Sequence, residues 1–195
     1  MWKINFFSII EQVDCVSTKL QSEFETFRAE LIFKIQSLKL ALSDINNIQE
    51  IHNTSHLISF AVVAYCDERL SLYALRNNLN YDVIQLPLFN VISAGEIFYE
   101  YLDTLVSERK SDMLTYWAYY FLLKHGYQGK YADGSDFKRT VYLRQLKAFI
   151  HNPKHEVKLN LPHKGHKVKA KLPLHMLWSI PLALSGLTYL FISFY

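Results

Sequence analysis

The adjacent carboxylates of Asp67 and Glu68 are the side chains in this chain best suited to chemistry. Two carboxylates act together in acid–base catalysis when both face one substrate. Neighbouring residues on a helix point about 100° apart, so this pair cannot converge on one bond. The pair favours surface recognition, or local ion pairing of Glu68 with Arg69 or Arg76, over catalysis. Replacing both acids by Ala is therefore expected to weaken partner binding and to leave the fold nearly intact.

The other reactive side chains form no second constellation. Cys66 has no histidine near it in the sequence and is expected to be a buried, inert thiol. His151 and His155 have the spacing of a metal-binding pair, but Pro153 interrupts the helix that such a pair needs. Nucleophile elbows, phosphate loops and metal-hydrolase helices are missing from the sequence. We therefore expect no catalytic residue, no metal and no cofactor.

The segments that carry these residues have helical periodicity. Apolar residues recur at steps of three and four through residues 24–42, which predicts an amphipathic helix. Residues 48–75 are more continuously apolar, which predicts a central and mostly buried helix with the acidic pair in its second half. Strand signals are weak, so we predict an all-α fold. Further helices are predicted at residues 83–91, 96–105, 112–124 and 140–150.

Helix ends and turns are marked by polar residues and glycines. Ser111 is expected to cap the helix over residues 112–124, and Gly126 is expected to end it. Gly126 and Gly129 favour backbone geometry that excludes a Cβ. Tyr131 is expected to close the turn that follows by packing its ring.

Residues 174–195 contain no Lys, Arg, Asp or Glu. As a helix they would rise roughly 33 Å, at about 1.5 Å per residue, against a hydrocarbon core about 30 Å thick. We predict one transmembrane helix here, acting as a tail anchor; the alternative is a buried C-terminal helix of a soluble protein. The anchor residues are Trp178, Leu182, Leu187 and Phe191.

Residues 151–173 form a basic linker ahead of the predicted span. Six lysines and one glutamate fall in it, so the net charge of +3 is concentrated there and residues 1–150 are slightly acidic. Lysines ahead of a span favour a cytoplasmic location for the preceding domain and contact with anionic lipid, without nucleic-acid binding. The predicted organisation is a cytoplasmic domain over residues 1–150, the linker over 151–173 and the anchor over 174–195.

Three sequence blocks, followed by the anchor, resemble the DotU/TssL (IcmH) family. Its members are inner-membrane proteins of type VI and type IVB secretion systems. The similarity covers roughly residues 50–150. The blocks are Ala61-Val-Val-Ala-Tyr-Cys-Asp-Glu68, Ala94-Gly-Glu-Ile-Phe98 and Leu122-Leu-Lys-His-Gly-Tyr-Gln-Gly-Lys-Tyr131.

The resemblance assigns roles to single residues. Asp67 and Glu68 correspond to the acidic pair of the family, and Gly95 and Glu96 to the last two positions of its Gly-Gly-Glu signature. The third block follows the Gly-Phe-Glu-Gly-Arg-Tyr motif and departs from it at Tyr127, Gln128 and Lys130. The implied partner-binding residues are Asp67, Glu68, Glu96 and Gln128. The implied structural residues are Gly95, Phe98, Gly126, Gly129 and Tyr131.

The resemblance implies a hook-like cytoplasmic domain made of two small helical bundles. It also implies a structural scaffold in the bacterial inner membrane, which joins an IcmF/TssM-like membrane protein to a baseplate subunit of TssK type. One alternative is a type IVB component that stabilises its IcmF partner. Another is a membrane-bound helical enzyme, which requires a pocket where Asp67, Glu68 or His125 converge. Ser185-Gly186 offers a small-residue patch for a homodimer through the tail.

Overall fold

The computed structural model describes residues 2–16, 21–43, 54–132, 134 and 136–151, and the regular structure in these residues is entirely helical. The all-α prediction is confirmed for this part of the chain. A short 3-10 turn, Gly129–Tyr131, separates the last two α-helices. The helices are α1 Trp2–Asp14, α2 Gln21–Ser43, α3 Thr54–Asn77, α4 Gln85–Phe89, α5 Ala94–Glu108, α6 Met113–Lys124 and α7 Asp136–His151.

Helix α3 lies at the centre of the fold. It packs against α1, α2, α4, α5 and α6, while α7 packs against α6 and α5. Residues 57–67 are buried without interruption, as expected for a helix surrounded by others. The described helices belong to one compact unit, Met1–Val157, and their buried side chains form one core. The division of this domain into two small bundles stays a prediction.

Helix α2 shows how the apolar spacing becomes packing. Its buried residues are those that the periodicity marks, and they form one row facing α1 and α3. Phe33 lies off that row and is 70% exposed. The row consists of Phe24, Phe27, Leu31, Ile35, Leu38 and Leu42.

Helix α1 is not among the predicted helices. Phe6, Ile9 and Val13 repeat at helical spacing and are buried against the rest of the core. At its C-terminal end, Asp14 Oδ2 lies 2.7 Å from Nε2 of His125. This contact connects α1 to the end of α6.

The start of α6 differs from the prediction. Asp112, not Ser111, occupies the N-cap position, and its side chain accepts a hydrogen bond from the Leu114 N–H. A carboxylate in this position also benefits from the positive end of the helix dipole. The prediction that Ser111 caps the helix is wrong.

Among the residues that the structure describes, none of the helices combines the length and the apolar character needed to cross a bilayer. Apart from His151, which ends α7, the predicted linker (151–173) and anchor (174–195) lie outside that part of the chain. The transmembrane assignment of Trp178, Leu182, Leu187 and Phe191 stays a prediction.

Candidate partner-binding site

Asp67 is a buried structural acceptor. Its side chain projects from α3 with only 4% of its surface exposed. One carboxylate oxygen accepts from the Tyr81 hydroxyl at 2.5 Å and from the Ile84 N–H at 2.7 Å, and the other accepts from the Gln85 N–H at 2.8 Å. Both backbone donors lie at the start of α4, where the N–H groups have no partner within the helix. Asp67 therefore fixes the beginning of α4 on the central helix.

Gln85 extends this connection to the next helix. Its side chain is buried, and its Oε1 accepts a hydrogen bond of 2.6 Å from the N–H of Ala94, the first residue of α5. Asp67 holds the Gln85 backbone, and the Gln85 side chain holds α5. The first acid of the pair therefore positions the start of α5 through one intermediate residue.

Glu68 points away from Asp67 and binds a different segment. Its carboxylate accepts from the Gln128 N–H at 3.1 Å and from the Gly129 N–H at 2.6 Å. These donors belong to the loop between α6 and α7. The two adjacent acids diverge as the helix geometry requires, and each fixes a separate loop to α3.

The two segments held by the acidic pair meet at a pair of glycines. An ideal Cβ on Gly95 would lie 3.3 Å from the backbone nitrogen of Lys130 and 3.4 Å from the backbone of Gly129. Gly129 has φ +53°, and a Cβ there would lie 2.9 Å from Oη of Tyr127. The three blocks of the sequence are thus brought together. We call Asp67, Glu68, Gly95 and Gly129 the junction.

Gly126 ends α6 through its left-handed backbone, with φ +98°. Its N–H donates to the Leu123 carbonyl, and the Tyr127 N–H donates to the Leu122 carbonyl at 3.1 Å. This pair of bonds is a Schellman arrangement, which glycine at this position favours. The prediction that Gly126 ends the helix is confirmed.

Aromatic side chains form the base of the junction. Phe98 is fully buried, and its ring centroid lies 4.4 Å from that of Tyr127. The Tyr99 hydroxyl donates to the Gln128 carbonyl at 2.9 Å, and the Tyr99 ring lies 4.5 Å from Tyr131. Tyr131 therefore packs its ring against α5, whereas the sequence predicted only that this ring closes the turn. Single-sequence periodicity did not identify Tyr81, Gln85 or Tyr99 as part of this arrangement.

Two of the predicted partner-binding residues face solvent at the junction. Glu96 is exposed in the first turn of α5, where the helix dipole stabilises its carboxylate. The Gln128 side chain is exposed, while its backbone N–H and carbonyl are held by Glu68 and Tyr99. Both side chains thus project from segments whose backbone is fixed.

The expectation of an exposed acidic pair is wrong for Asp67. The buried carboxylate meets three internal donors, so its removal leaves those donors unsatisfied. For the same reason we expect the double Ala variant to destabilise the fold rather than leave it nearly intact. Glu68 is half-buried, and its carboxylate accepts hydrogen bonds from backbone N–H groups. Arg69, offered by the sequence as an ion-pair partner of Glu68, has its Nε 3.9 Å from Oδ1 of Asp14. Partner binding by either acid stays a prediction.

Burial governs the protonation of both acids. Burial raises the pKa of Asp67, and hydrogen bonds from Tyr81, Ile84 and Gln85 oppose that rise. Burial also raises the pKa of Glu68, against the opposing effect of the N–H groups of Gly129 and Gln128. Both carboxyls therefore release their protons less readily than exposed carboxyls do.

The groups required by the enzyme alternative bind different partners. Asp67 contacts the start of α4, Glu68 contacts the Gly129 loop, and the His125 ring contacts Asp14. Cys66 is fully buried, and burial raises the pKa of its thiol well above the usual value, so it is a poor nucleophile. Within the described residues, no group of three or more His, Cys, Asp or Glu side chains is arranged to hold a metal ion.

The helical fold is similar to two solved structures. DotU from Francisella novicida aligns with a TM-score of 0.67 and 20% identity, over 75% of this chain and 95% of that one. SciP/TssL of the type VI secretion system from enteroaggregative Escherichia coli 042 aligns with a TM-score of 0.56 and 16% identity, over 83% of this chain and 90% of that one. No curated protein sequence matches the chain.

The family model described as "Type VI secretion system protein DotU" matches residues 6–195. The chain belongs to this family, and the resemblance seen in the three sequence blocks is confirmed. The family consists of membrane-associated structural components of type VI secretion systems. Membership in a secretion complex implies protein partners.

Proposed function

We propose that this protein is a scaffold of a type VI secretion membrane complex. Residues 174–195 anchor it in the bacterial inner membrane as a single span, and the N-terminal domain is a hook-like cytoplasmic body of two small bundles. The domain joins an IcmF/TssM-like inner-membrane protein to a baseplate subunit of TssK type. The description of the matching family supports type VI rather than type IVB secretion.

The proposal rests on the different roles of the buried and the exposed residues at the junction. Asp67 holds the start of α5 through Gln85, and α5 presents Glu96 to solvent. Glu68 holds the loop that presents Gln128. A preorganised surface loses less conformational entropy on binding than a mobile one, which favours affinity. An exposed carboxylate contributes specificity and association rate toward a basic partner. In this proposal Glu96 and Gln128 touch the partner, and the acidic pair positions them.

Affinity purification of the full-length protein from gently solubilised membranes tests this function. Mass spectrometry is expected to identify a large IcmF-like protein and baseplate components. Deleting residues 172–195 is expected to remove the protein from the membrane fraction. Recovery of the protein alone, with and without the tail, would contradict the scaffold function.

Surface variants locate the partner contact. Glu96→Gln combined with Gln128→Ala is expected to reduce partner recovery while the helical content stays unchanged. Glu100→Gln is the matched control, because Glu100 is exposed on the same helix one turn further along. Equal recovery with both variants would place the contact elsewhere on the domain. A homodimer through the tail is tested by cross-linking the purified protein.

A further inference from the structure

A second surface is built from aromatic residues of α1 and α6. The ring centroids of Trp2 and Trp117 lie 6.1 Å apart, and Phe7 lies 5.8 Å from Trp117 and 5.4 Å from Phe121. Phe7 is 42% exposed, and the other three side chains are partly exposed. We call these four residues the aromatic face.

The residues next to the aromatic face along α1 and α6 are mostly apolar. Ile4, one turn before Phe7, is 73% exposed, and Met113 at the start of α6 is 38% exposed. The only charged residue among positions 2–10 is Lys3, and the only one in α6 is Lys124. The Lys3 ammonium lies 5.7 Å from the Trp2 ring, and that of Lys124 lies 5.9 Å from the Tyr120 ring. The acids nearest to it are Glu11, exposed one turn after Phe7, Asp14, which pairs with His125, and Asp112, which precedes α6.

This composition suits a lipid interface better than a protein interface. Trp and Tyr concentrate at the boundary between hydrocarbon and headgroups, where a ring meets both an apolar and a polar environment. Lysines near an anionic leaflet each contribute roughly 1 kcal/mol of attraction. Protein interfaces share the enrichment in aromatic residues and Met, but they favour Arg and are depleted in Lys, and the two cations here are both Lys. The face therefore combines interfacial aromatic rings with charges that match lipid phosphates.

We propose that the aromatic face lies against the anionic surface of the bilayer. Its rings reach the headgroup region, and Lys3 and Lys124 lie beside lipid phosphates. The domain is then held to the membrane by its own surface in addition to the tail. The inference rests on the membrane attachment proposed above, but it assigns an orientation to the domain that a tail anchor alone does not.

The tryptophans allow a direct test. The chain has three, and two of them, Trp2 and Trp117, belong to the aromatic face. Replacing the third, Trp178→Phe, leaves emission from this face alone. The full-length variant is reconstituted into phosphatidylethanolamine–phosphatidylglycerol vesicles, with or without bromine on the acyl chains close to the headgroup. We expect brominated lipid to quench the emission and the vesicles to protect it from aqueous iodide.

Charge variants supply the matched control. In the same background, Lys3→Glu with Lys124→Glu is expected to reduce quenching by the brominated lipid. Lys130→Glu with Lys138→Glu makes the same charge change at two exposed lysines that also lie beside an aromatic ring, Tyr131. This control is expected to leave quenching unchanged. Equal quenching in both double variants would overturn the assignment to anionic lipid.

The remaining outcomes separate this inference from the proposed function. Vesicles that carry the protein without quenching its tryptophans would overturn the inference and leave membrane anchoring intact. A chain that fails to enter the vesicles would overturn both. In a third outcome, brominated lipid does not quench the tryptophan emission, but the emission becomes protected from iodide when the protein is purified with its partners. This result would assign the face to a protein and overturn the lipid assignment.

Discussion

The carboxylate of Glu68 accepts a hydrogen bond of 2.6 Å from the backbone N–H of Gly129, a residue 61 positions further along the chain. This bond completes a closed series of contacts. Asp67 of α3 binds the start of α4, Gln85 of α4 binds the start of α5, and Gly95 of α5 packs against the loop that Glu68 holds. The sequence predicts that this acidic pair acts in surface recognition. In the structure, both carboxylates instead hold other segments of the same chain in place. The surface they support is formed by their neighbours.

Glu68→Ala is expected to lower the free energy of unfolding by about 1–2 kcal/mol, because two backbone donors of a partly buried loop lose their acceptor. Glu68→Gln keeps one acceptor oxygen and should lose less. Urea unfolding of the detergent-solubilised chain, followed by far-UV circular dichroism, measures the difference. Glu100→Ala, at an exposed position, is the control and should change stability by no more than about 0.5 kcal/mol. A Glu68→Ala protein with unchanged stability would show that Glu68 does not hold this loop in place.

Asp67→Ala is expected to be more damaging, with a loss of about 2–4 kcal/mol, because three donors at a buried site are left unsatisfied. Asp82→Ala changes an exposed acid in the connection that Asp67 holds, and it serves as the control. The same unfolding measurement applies. Similar stabilities for the two variants would show that the buried contacts of Asp67 contribute little.

Gly129→Ala is expected to destabilise the domain by about 3 kcal/mol, since a positive φ is combined with a Cβ only 2.9 Å from Tyr127 Oη and 3.1 Å from the Gly95 carbonyl. Gly134→Ala provides the comparison, because Gly134 also has a positive φ but a Cβ there would meet nothing within 4 Å. It isolates the backbone contribution, expected to be about 1 kcal/mol. Thermal unfolding of both variants tests the contrast. Equal shifts would mean that the close approach of the two glycines is not a constraint.

The pH dependence of stability follows from the raised pKa of Glu68. The folded protein binds this proton more tightly than the unfolded chain, whose Glu pKa is about 4.3. The resulting stabilisation is full below the unfolded pKa and is lost as the pH rises through the folded pKa. The stability of the wild type relative to Glu68→Gln should therefore fall between acid and neutral pH. Urea unfolding of both proteins across this range measures it, and a relative stability that rises with pH would mean that the N–H donors outweigh burial.

Local features of the fold were accessible from sequence because they depend on short-range periodicity. The buried row of α2, from Phe24 to Leu42, coincides with the apolar spacing, and Gly126 ends α6 as its position suggested. Phe6, Ile9 and Val13 carry the same spacing on α1. That helix is not among the predicted ones, although the same periodicity applies to it.

The burial of Asp67 was not accessible in the same way. Its partners Tyr81 and Gln85 lie 14 and 18 residues away, and those of Glu68 lie about 60 residues away. Periodicity indicates which face of a helix is buried, but it does not show which distant backbone donors meet a carboxylate there. Periodicity therefore predicts that a charged pair next to an apolar run is exposed, although hydrogen bonds from distant segments satisfy the carboxylates in the fold.

Site-specific photo-cross-linking from position 128, in cells that express the secretion system, tests whether the surface at Gln128 contacts a partner protein. The Gln128 side chain is exposed, so a photoreactive amino acid replaces it without disturbing the backbone bonds to Glu68 and Tyr99. Lys147, exposed on α7, is the control position. We expect an adduct with the IcmF-like protein or a baseplate subunit from position 128 and none from position 147. No adduct at position 128, or the same adducts at both positions, would contradict this expectation.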